Sequence, residues 1–306
     1  MLFRSVEFKD RATLQSDPVK DLREFGTHHQ PRGTWSDDGA MILCTTDSLV
    51  NHEFDLADMG QRFVRWMKEG LWTANGDVFD VGGTTAAALL RIAKGVSAEQ
   101  AGGQTENSNG NGSLMRIIPV VLRFATAPLG GGMRAVGALT KYSDRLESAS
   151  AITHGHPRSR MACVFYGLLV RQLLANVEPP AALAAARTEF KELYERAPEF
   201  SRFRPILGDD FTRLPEAEIV STGYVLHTLH ASIWCLLTTR NFPDCLLKAV
   251  NLGGDSDTTG CVAGGLAGAM YGIKSIPPDW RNQLARKGDV DCLFREFADL
   301  SEETAN

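Results

Sequence analysis

Long apolar runs, basic excess and paired cysteines are what this chain lacks. Its longest apolar run, Cys261 to Ile273, is too short and too glycine-rich to cross a bilayer, so no membrane is expected as a partner. The opening stretch, Met1 to Asp10, alternates charged with apolar residues and holds no signal-peptide core. A cytoplasmic protein is expected. A net charge of −5 supplies no basic field for phosphate backbones, so nucleic acid is not expected either. The six cysteines form no Cys-x-x-C pair, and Cys44, Cys163, Cys235 and Cys261 lie deep in apolar stretches. They read as reduced core residues, not a disulfide framework. No convincing run of alternating strand pattern occurs, nor an internal repeat or a linker. With 43% hydrophobic and 23% charged residues over 306 positions, one all-α domain spanning 1–306 is expected.

What the chain does have is two acid-rich segments far apart. Asn251-Leu-Gly-Gly-Asp-Ser-Asp-Thr-Thr-Gly260 opens into the apolar run, where Gly260, Gly264, Gly268 and Gly272 recur at every fourth residue. Positions four apart share a helix face, which predicts a helix with a smooth stripe that neighbouring backbones approach closely. Glycine weakens a helix, so burial must compensate. Asp255 and Asp257 would stand at the N-terminus of that helix, where the dipole favours their ionised form. Ser36, Asp37 and Asp38 repeat the pattern before a second apolar segment, Ala40 to Leu49. Asp255 followed by Thr258 also looks like an ordinary N-cap. One cap oxygen is enough, however, and Asp255, Asp257, Thr258 and Thr259 crowd a single turn. Two oxygen-rich helix starts suit hard divalent cations, and four carboxylates can bridge two of them at roughly 3.5–4 Å. Such buried negative charge calls for something positive against it.

Helices are predicted over Ala40–Val50, Leu56–Glu69 with Gly70 as its stop, Ala86–Lys94, Leu114–Phe124 and Ala135–Thr153. Others follow over Arg158–Ala175 behind Pro157, Pro180–Arg196, Ser221–Trp234 and Phe242–Val250. Leu284, Leu293, Phe294 and Phe297 predict a last amphipathic helix, and Glu178 to Pro215 reads as a surface excursion without chemistry. Asn75 to Thr85 is a turn-rich loop that carries Asp80 and ends in a threonine cap. In Asn109-Gly-Asn-Gly-Ser-Leu-Met-Arg116 the glycines precede a predicted helix, where backbone N–H groups can hold phosphate. No Walker lysine follows and no strand precedes, so neither nucleotide fingerprint applies. His154 and His156 flank a break, but no third soft ligand lies near enough in sequence for zinc.

Several of these segments together resemble the ADP-ribosylglycohydrolase family. Trp35-Ser-Asp-Asp-Gly-Ala-Met41 and Gly253-Gly-Asp-Ser-Asp-Thr-Thr-Gly260 look like its two metal-site signatures. The resemblance implies a compact orthogonal bundle of helices around a binuclear Mg²⁺ or Mn²⁺ site. Its ligands would be Ser36, Asp37, Asp38, Asp255, Asp257 and Thr258, with Ser36 where most relatives carry threonine. Asp80 would face the bond to be cut, in a stretch where Gly83 replaces the usual asparagine. Gly110, Asn111, Gly112, Ser113 and Met115 match the segment that holds the ADP-ribose diphosphate, and His154 and Tyr224 match ligand contacts. Val6-Glu7-Phe8 resembles the tail of a first helix that is otherwise missing, and it brings Glu7 to the site. The implied reaction is hydrolysis of the C1″ glycosidic bond of an ADP-ribosylated protein, most readily at arginine, with free ADP-ribose as product. Asp80, Asp38, Asp257 and Glu7 would be catalytic, and a monomer is expected. The alternatives are an ADP-ribose binder without turnover, a serine- or O-linked hydrolase, a two-metal phosphohydrolase and a structural scaffold.

Overall fold

The computed structural model describes residues 4–125 and 133–303, so Met1 to Phe3 of the opening stretch lie outside the described residues. Among those described, all extended structure is confined to isolated bridges, and every regular element is helical. Helices of eight residues or more are numbered here: α1 Asp37–Asn51, α2 Leu56–Glu69, α3 Gly83–Ala93, α4 Ile118–Ala125, α5 Met133–Ala151 and α6 Pro157–Leu174. They continue with α7 Pro179–Tyr194, α8 Val225–Leu237, α9 Phe242–Asn251, α10 Ser256–Tyr271 and α11 Lys287–Glu303. The all-α expectation holds.

α10 is the centre. It packs on α8 and α9, meets α6 and touches α1. Its buried face runs from Ser256 to Ala267. Neighbours hydrogen-bond into its backbone, Ser232 Oγ to the Thr259 carbonyl at 3.1 Å and the Tyr166 hydroxyl to the Val262 carbonyl at 3.3 Å. The glycine stripe behaves differently from expectation. A methyl group at Gly260 would press on Val250 at 3.2 Å, but at Gly268 and Gly272 nothing lies within 4 Å. The close approach is at Gly265, off the stripe, where a Cβ would sit 2.1 Å from the Tyr166 hydroxyl. The stripe instead borders an apolar cavity of about 500 Å³ between α1, α9, α10 and α11. Four-residue spacing defines a face but not what covers it.

Three helix starts shift for identifiable reasons. α2 runs as expected, with the Asp55 carboxylate accepting from the Ala57 and Asp58 N–H groups and Gly70 ending it at φ +73°. α4 begins at Ile118, not Leu114, because Pro119 has no N–H to bond the Met115 carbonyl. That carbonyl accepts from the Cys261 thiol instead. α3 begins at Gly83, with Gly82 as cap and Thr85 buried in the first turn, so no threonine caps it. α8 begins at Val225, because Ser221 is drawn into the turn before α10. Its hydroxyl donates to the Gly253 carbonyl at 2.6 Å and its carbonyl accepts from the Asp255 N–H at 2.9 Å.

Two further expectations are corrected. Glu178 to Pro215 is no surface excursion: α7 packs on α6, and Phe190, Phe203, Ile206 and Phe211 are buried. Phe190 lies 5.1 Å from Phe165 and 4.9 Å from Phe203, between ring centroids. Each such ring contributes about 1.5–3 kcal/mol by burial. Leu284 falls outside the last helix, because Ala285 N–H bonds the Gly33 carbonyl and so docks its turn three residues before Ser36. Leu293 and Phe297 of α11 are buried, while Phe294 is exposed. All six cysteines are free; Cys44, Cys163, Cys235 and Cys245 are buried, but Cys261 is half-buried and Cys292 exposed, and no described helix is long and apolar enough to cross a membrane.

Candidate active site

Two helix N-termini converge on one hydroxyl. Ser36 Oγ stands 2.9 Å from Asp38 Oδ2 in α1 and 2.9 Å from Asp257 Oδ2 in α10. It carries one proton for two carboxylates. Neither Ser36 nor Asp255 makes a side-chain cap bond, so capping does not account for the acidic clusters. Asp37, Asp38 and Asp257 are buried, and the pair Asp255–Asp257 comes within 4.8 Å of a third carboxylate, Glu7. Glu7 therefore lies closer to the acidic centre than its place at the edge of a matched motif suggested.

So much like charge in one buried place shifts titration. Burial, then Asp38 and Asp80, hold the Asp37 carboxyl well above the usual range. Burial and then Asp257 do the same to Asp38, and they push Asp255 up to about 6. Asn111 and Thr258 partly offset the shift of Asp255 by hydrogen bonding. Glu7 is also raised, by burial and then by Asp257 and Asp80. Two oxygens, Asp38 Oδ1 and Asp255 Oδ1, are sealed from solvent with no hydrogen-bond partner. Orphaned carboxylate oxygens in an all-oxygen donor set fit hard divalent cations. The acidic clusters can thus hold metal ions.

Part of the balancing charge is built in. Arg4 is fully buried, donating to the Thr34 carbonyl at 2.8 Å and the Pro31 carbonyl at 2.7 Å. Burial lowers its pKa to about 10, against the pull of Asp257, so it stays charged at neutral pH. Sequence reading missed it. A lone arginine in a non-periodic segment carries no local signal, although a buried cation somewhere was foreseeable.

A cavity of about 230 Å³ opens over the carboxylates, lined by Glu7, Phe8, Asp37, Asp80, Gly82 to Thr85, Gly110 to Gly112, Met115, His154, Gly223, Asp255 and Thr258. Asp80 stands at φ +59°, a left-handed conformation that costs a non-glycine residue about 1–2 kcal/mol. Such strain is common where a side chain must be aimed. Its carboxyl is raised by burial and then by Asp257. Glycine at 110 and 112 is explained by His154: a Cβ at Gly112 would lie 2.8 Å from His154 Cε1 and 3.0 Å from Thr85 Oγ1. His154 itself is fixed by a relay. Arg116 Nη2 donates to Thr153 Oγ1 at 2.9 Å, and the same oxygen bonds His154 Nδ1, also at 2.9 Å. This leaves Nε2 beside Gly110 and Gly112. Burial, then Arg116, lower His154 to about 3, so the ring is neutral.

Other expected contacts are placed differently. Ser113 is fully buried and faces Cys163 and Ser150, away from the cavity, because the turn before α4 directs its side chain into the core. Asn111 turns its amide to Asp255 Oδ2 at 2.8 Å and Thr228 Oγ1 at 2.9 Å, tying the glycine loop to the acidic cluster. Tyr224 lies outside the cavity lining, bridged through its backbone to Gly110. Arg158 holds its hydroxyl at 3.2 Å and also pairs with Glu106 and Glu199 at 2.7 Å each. His156 caps α6 by accepting the Arg158 N–H at 3.2 Å.

The chain is similar to known proteins over nearly its whole length. The model of the family described as ADP-ribosylglycohydrolase matches residues 4–306. An ADP-ribosylarginine hydrolase Tri1 from Pseudomonas putida (strain GB-1) is 30% identical over 299 residues, covering 96% of this chain and 73% of that protein. The ADP-ribosyl-[dinitrogen reductase] glycohydrolase of Rhodospirillum rubrum is 29% identical over 294 residues, covering 92% and 85%. Among solved structures, a chain of an ADP-ribosylglycohydrolase-related protein complex superposes with a TM-score of 0.76 at 31% identity, covering 98% of this chain and 93% of its own.

Proposed function

The chain belongs to the ADP-ribosylglycohydrolase family and is a hydrolase, and from that premise we propose that it releases ADP-ribose from modified arginine by cleaving the C1″ glycosidic bond. The observation that carries this reading is the Ser36 hydroxyl, 2.9 Å from Asp38 at its own helix start and 2.9 Å from Asp257, 221 residues away in sequence, beneath a cavity that also presents Asp80. Ser36, Asp37, Asp38, Asp255, Asp257 and Thr258 would hold two Mg²⁺ or Mn²⁺ ions, which supply positive charge to the ribose hydroxyls and to the attacking water.

The chain's own groups do the rest. Backbone N–H groups around Gly110 and Gly112, with Nε2 of His154, receive the diphosphate. Asp80 pairs with the guanidinium and orients the C1″–N bond. As that bond breaks, positive charge grows at C1″, and the buried carboxylates of Asp38 and Asp257 ease it. A water oxygen then bonds C1″. Its proton passes to the Asp80–Glu7 pair, and the departing guanidine nitrogen takes one from the same pair. Glu7 suits this exchange because its carboxyl is held protonated by burial and by neighbouring carboxylates. We also read 1–306 as one domain acting as a cytoplasmic monomer, a setting that six free thiols suit.

Product analysis tests the reaction. Incubation of an arginine-ADP-ribosylated peptide with protein and Mg²⁺ should yield free ADP-ribose and unmodified peptide. AMP with ribose phosphate would instead mark a phosphohydrolase.

A further inference from the structure

Phe8 is an oddity that the reaction above does not use. The residue is 63% exposed, yet it lines the cavity that holds Glu7 and Asp80. Its backbone is left-handed at φ +61°, a conformation rare for a bulky residue. Two hydrogen bonds clamp it there, Phe8 N–H to the Gly254 carbonyl at 2.7 Å and Gly254 N–H to the Lys9 carbonyl at 2.9 Å. Gly253 and Gly254 permit this clasp: a Cβ on Gly253 would sit 2.8 Å from the Lys9 carbonyl. The Phe8 backbone is thus tied to the turn that carries Asp255. Strain and exposure together are unfavourable in the free protein, and something bound against the ring would offset them.

The surroundings say what. The His28 ring meets Phe8 edge-on at 6.3 Å between centroids and leans on Phe79 at 5.2 Å. Its Nε2 bonds Glu7 Oε2 at 2.5 Å and stands 3.8 Å from Asp80 Oδ2. One wall of the mouth therefore combines an open aromatic face with a carboxylate, joined through a pinned imidazole. A flat, delocalised, weakly hydrated cation satisfies both, its face on the ring and its N–H edge on the carboxylate. An alcohol-linked ADP-ribose offers neither charge nor plane.

We propose that Phe8 and Asp80, held in register by His28, form a guanidinium seat that selects arginine-linked over serine-linked ADP-ribose. The proposal rests on the arginine reading above and adds the residue that enforces it. Phe8 is a specificity residue and touches only the leaving group, so free ADP-ribose serves as the internal control.

The test uses two peptides of one sequence, carrying ADP-ribosylated arginine or ADP-ribosylated serine, with wild-type, Phe8→Ala, Phe8→Leu and Phe8→Trp proteins. Phe8→Ala should raise KM for the arginine peptide about five- to tenfold, as loss of one cation–π contact would. Phe8→Leu, apolar but without a π face, should fail equally, and Phe8→Trp should restore KM. Affinity for free ADP-ribose, by calorimetry with Mg²⁺ present, should stay within about twofold in all variants. An unchanged arginine KM in Phe8→Ala overturns the seat while leaving the arginine reading standing. Equal weakening of free ADP-ribose overturns it too, by making Phe8 a general wall. A wild-type protein inert on the arginine peptide but active on serine overturns the arginine reading and the seat with it.

Discussion

Raising the pH of the metal-free protein should destabilise it. The Asp255 carboxyl is held at about 6 in the fold against an ordinary 3.8. The folded state therefore binds this proton more tightly than the unfolded chain, and the fold loses stability as pH climbs between those two values. A shift of about two units corresponds to about 3 kcal/mol. Asp37, Asp38 and Asp80 are raised as well and push the same way. Asp58, despite the cost of burial, is held low by Ser48 and Arg62, and Glu106 by Arg158, so these two favour the fold as pH rises. Burial holds His154 at about 3 and His230 at about 4, so they favour it too, up to their ordinary 6.5. The two carboxylates finish below about pH 5 and the histidines by about 6.5, whereas Glu7, Asp37 and Asp38, raised by burial and by neighbouring carboxylates, push the other way across the range. For a chain of this size the full Asp255 effect lowers Tm by about 5 °C. Magnesium at 100 times its Kd should return about 2.7 kcal/mol. Thermal melts in EDTA and in Mg²⁺, from pH 5 to pH 7.5, read this directly. A Tm in EDTA that rises or stays level with pH, or that ignores Mg²⁺, would refute the reasoning.

Five substitutions at four positions extend the test. Ser36→Ala removes the hydroxyl between Asp38 and Asp257 and should weaken Mg²⁺ binding about 10–100-fold, whereas Ser36→Thr should retain it, both read by calorimetry. Gly112→Ala forces a Cβ to 2.8 Å from His154 and should lower stability by about 1–3 kcal/mol and weaken ADP-ribose binding, while Gly83→Asn, with open space around it, should leave Tm unchanged. Thr153→Val removes the hydroxyl that holds His154 Nδ1; ADP-ribose affinity should fall about tenfold for one misaligned hydrogen-bonding group, with the fold intact by circular dichroism.

How much could be read in advance follows from the range of the physics involved. Ser36, Asp37 and Asp38, like Asp255 and Asp257, advertise themselves because oxygen-rich residues cluster within one turn before an apolar helix. α2 was legible at both ends, since Gly70 is a local stop signal. Pro119 was legible too, but its effect on the predicted Leu114 helix was overlooked. Arg4, His28 and Phe8 were not legible. Their importance lies in contacts with Thr34, Glu7, Asp80 and Gly254, which no spacing rule connects. The direction of Ser113 and the partner of the α10 glycine stripe likewise depend on packing between distant helices, beyond the reach of periodicity.

The central claim is that the paired acidic helix starts, acting through bound cations, cut the bond to arginine. Single-turnover release of ADP-ribose from the arginine peptide at saturating Mg²⁺, compared between the wild type and Asp255→Ala/Asp257→Ala, measures it most directly. The double variant should be slower by at least about 10²–10³-fold, the scale of losing an electrostatic stabiliser of the transition state. Equal rates in the two proteins would contradict the account.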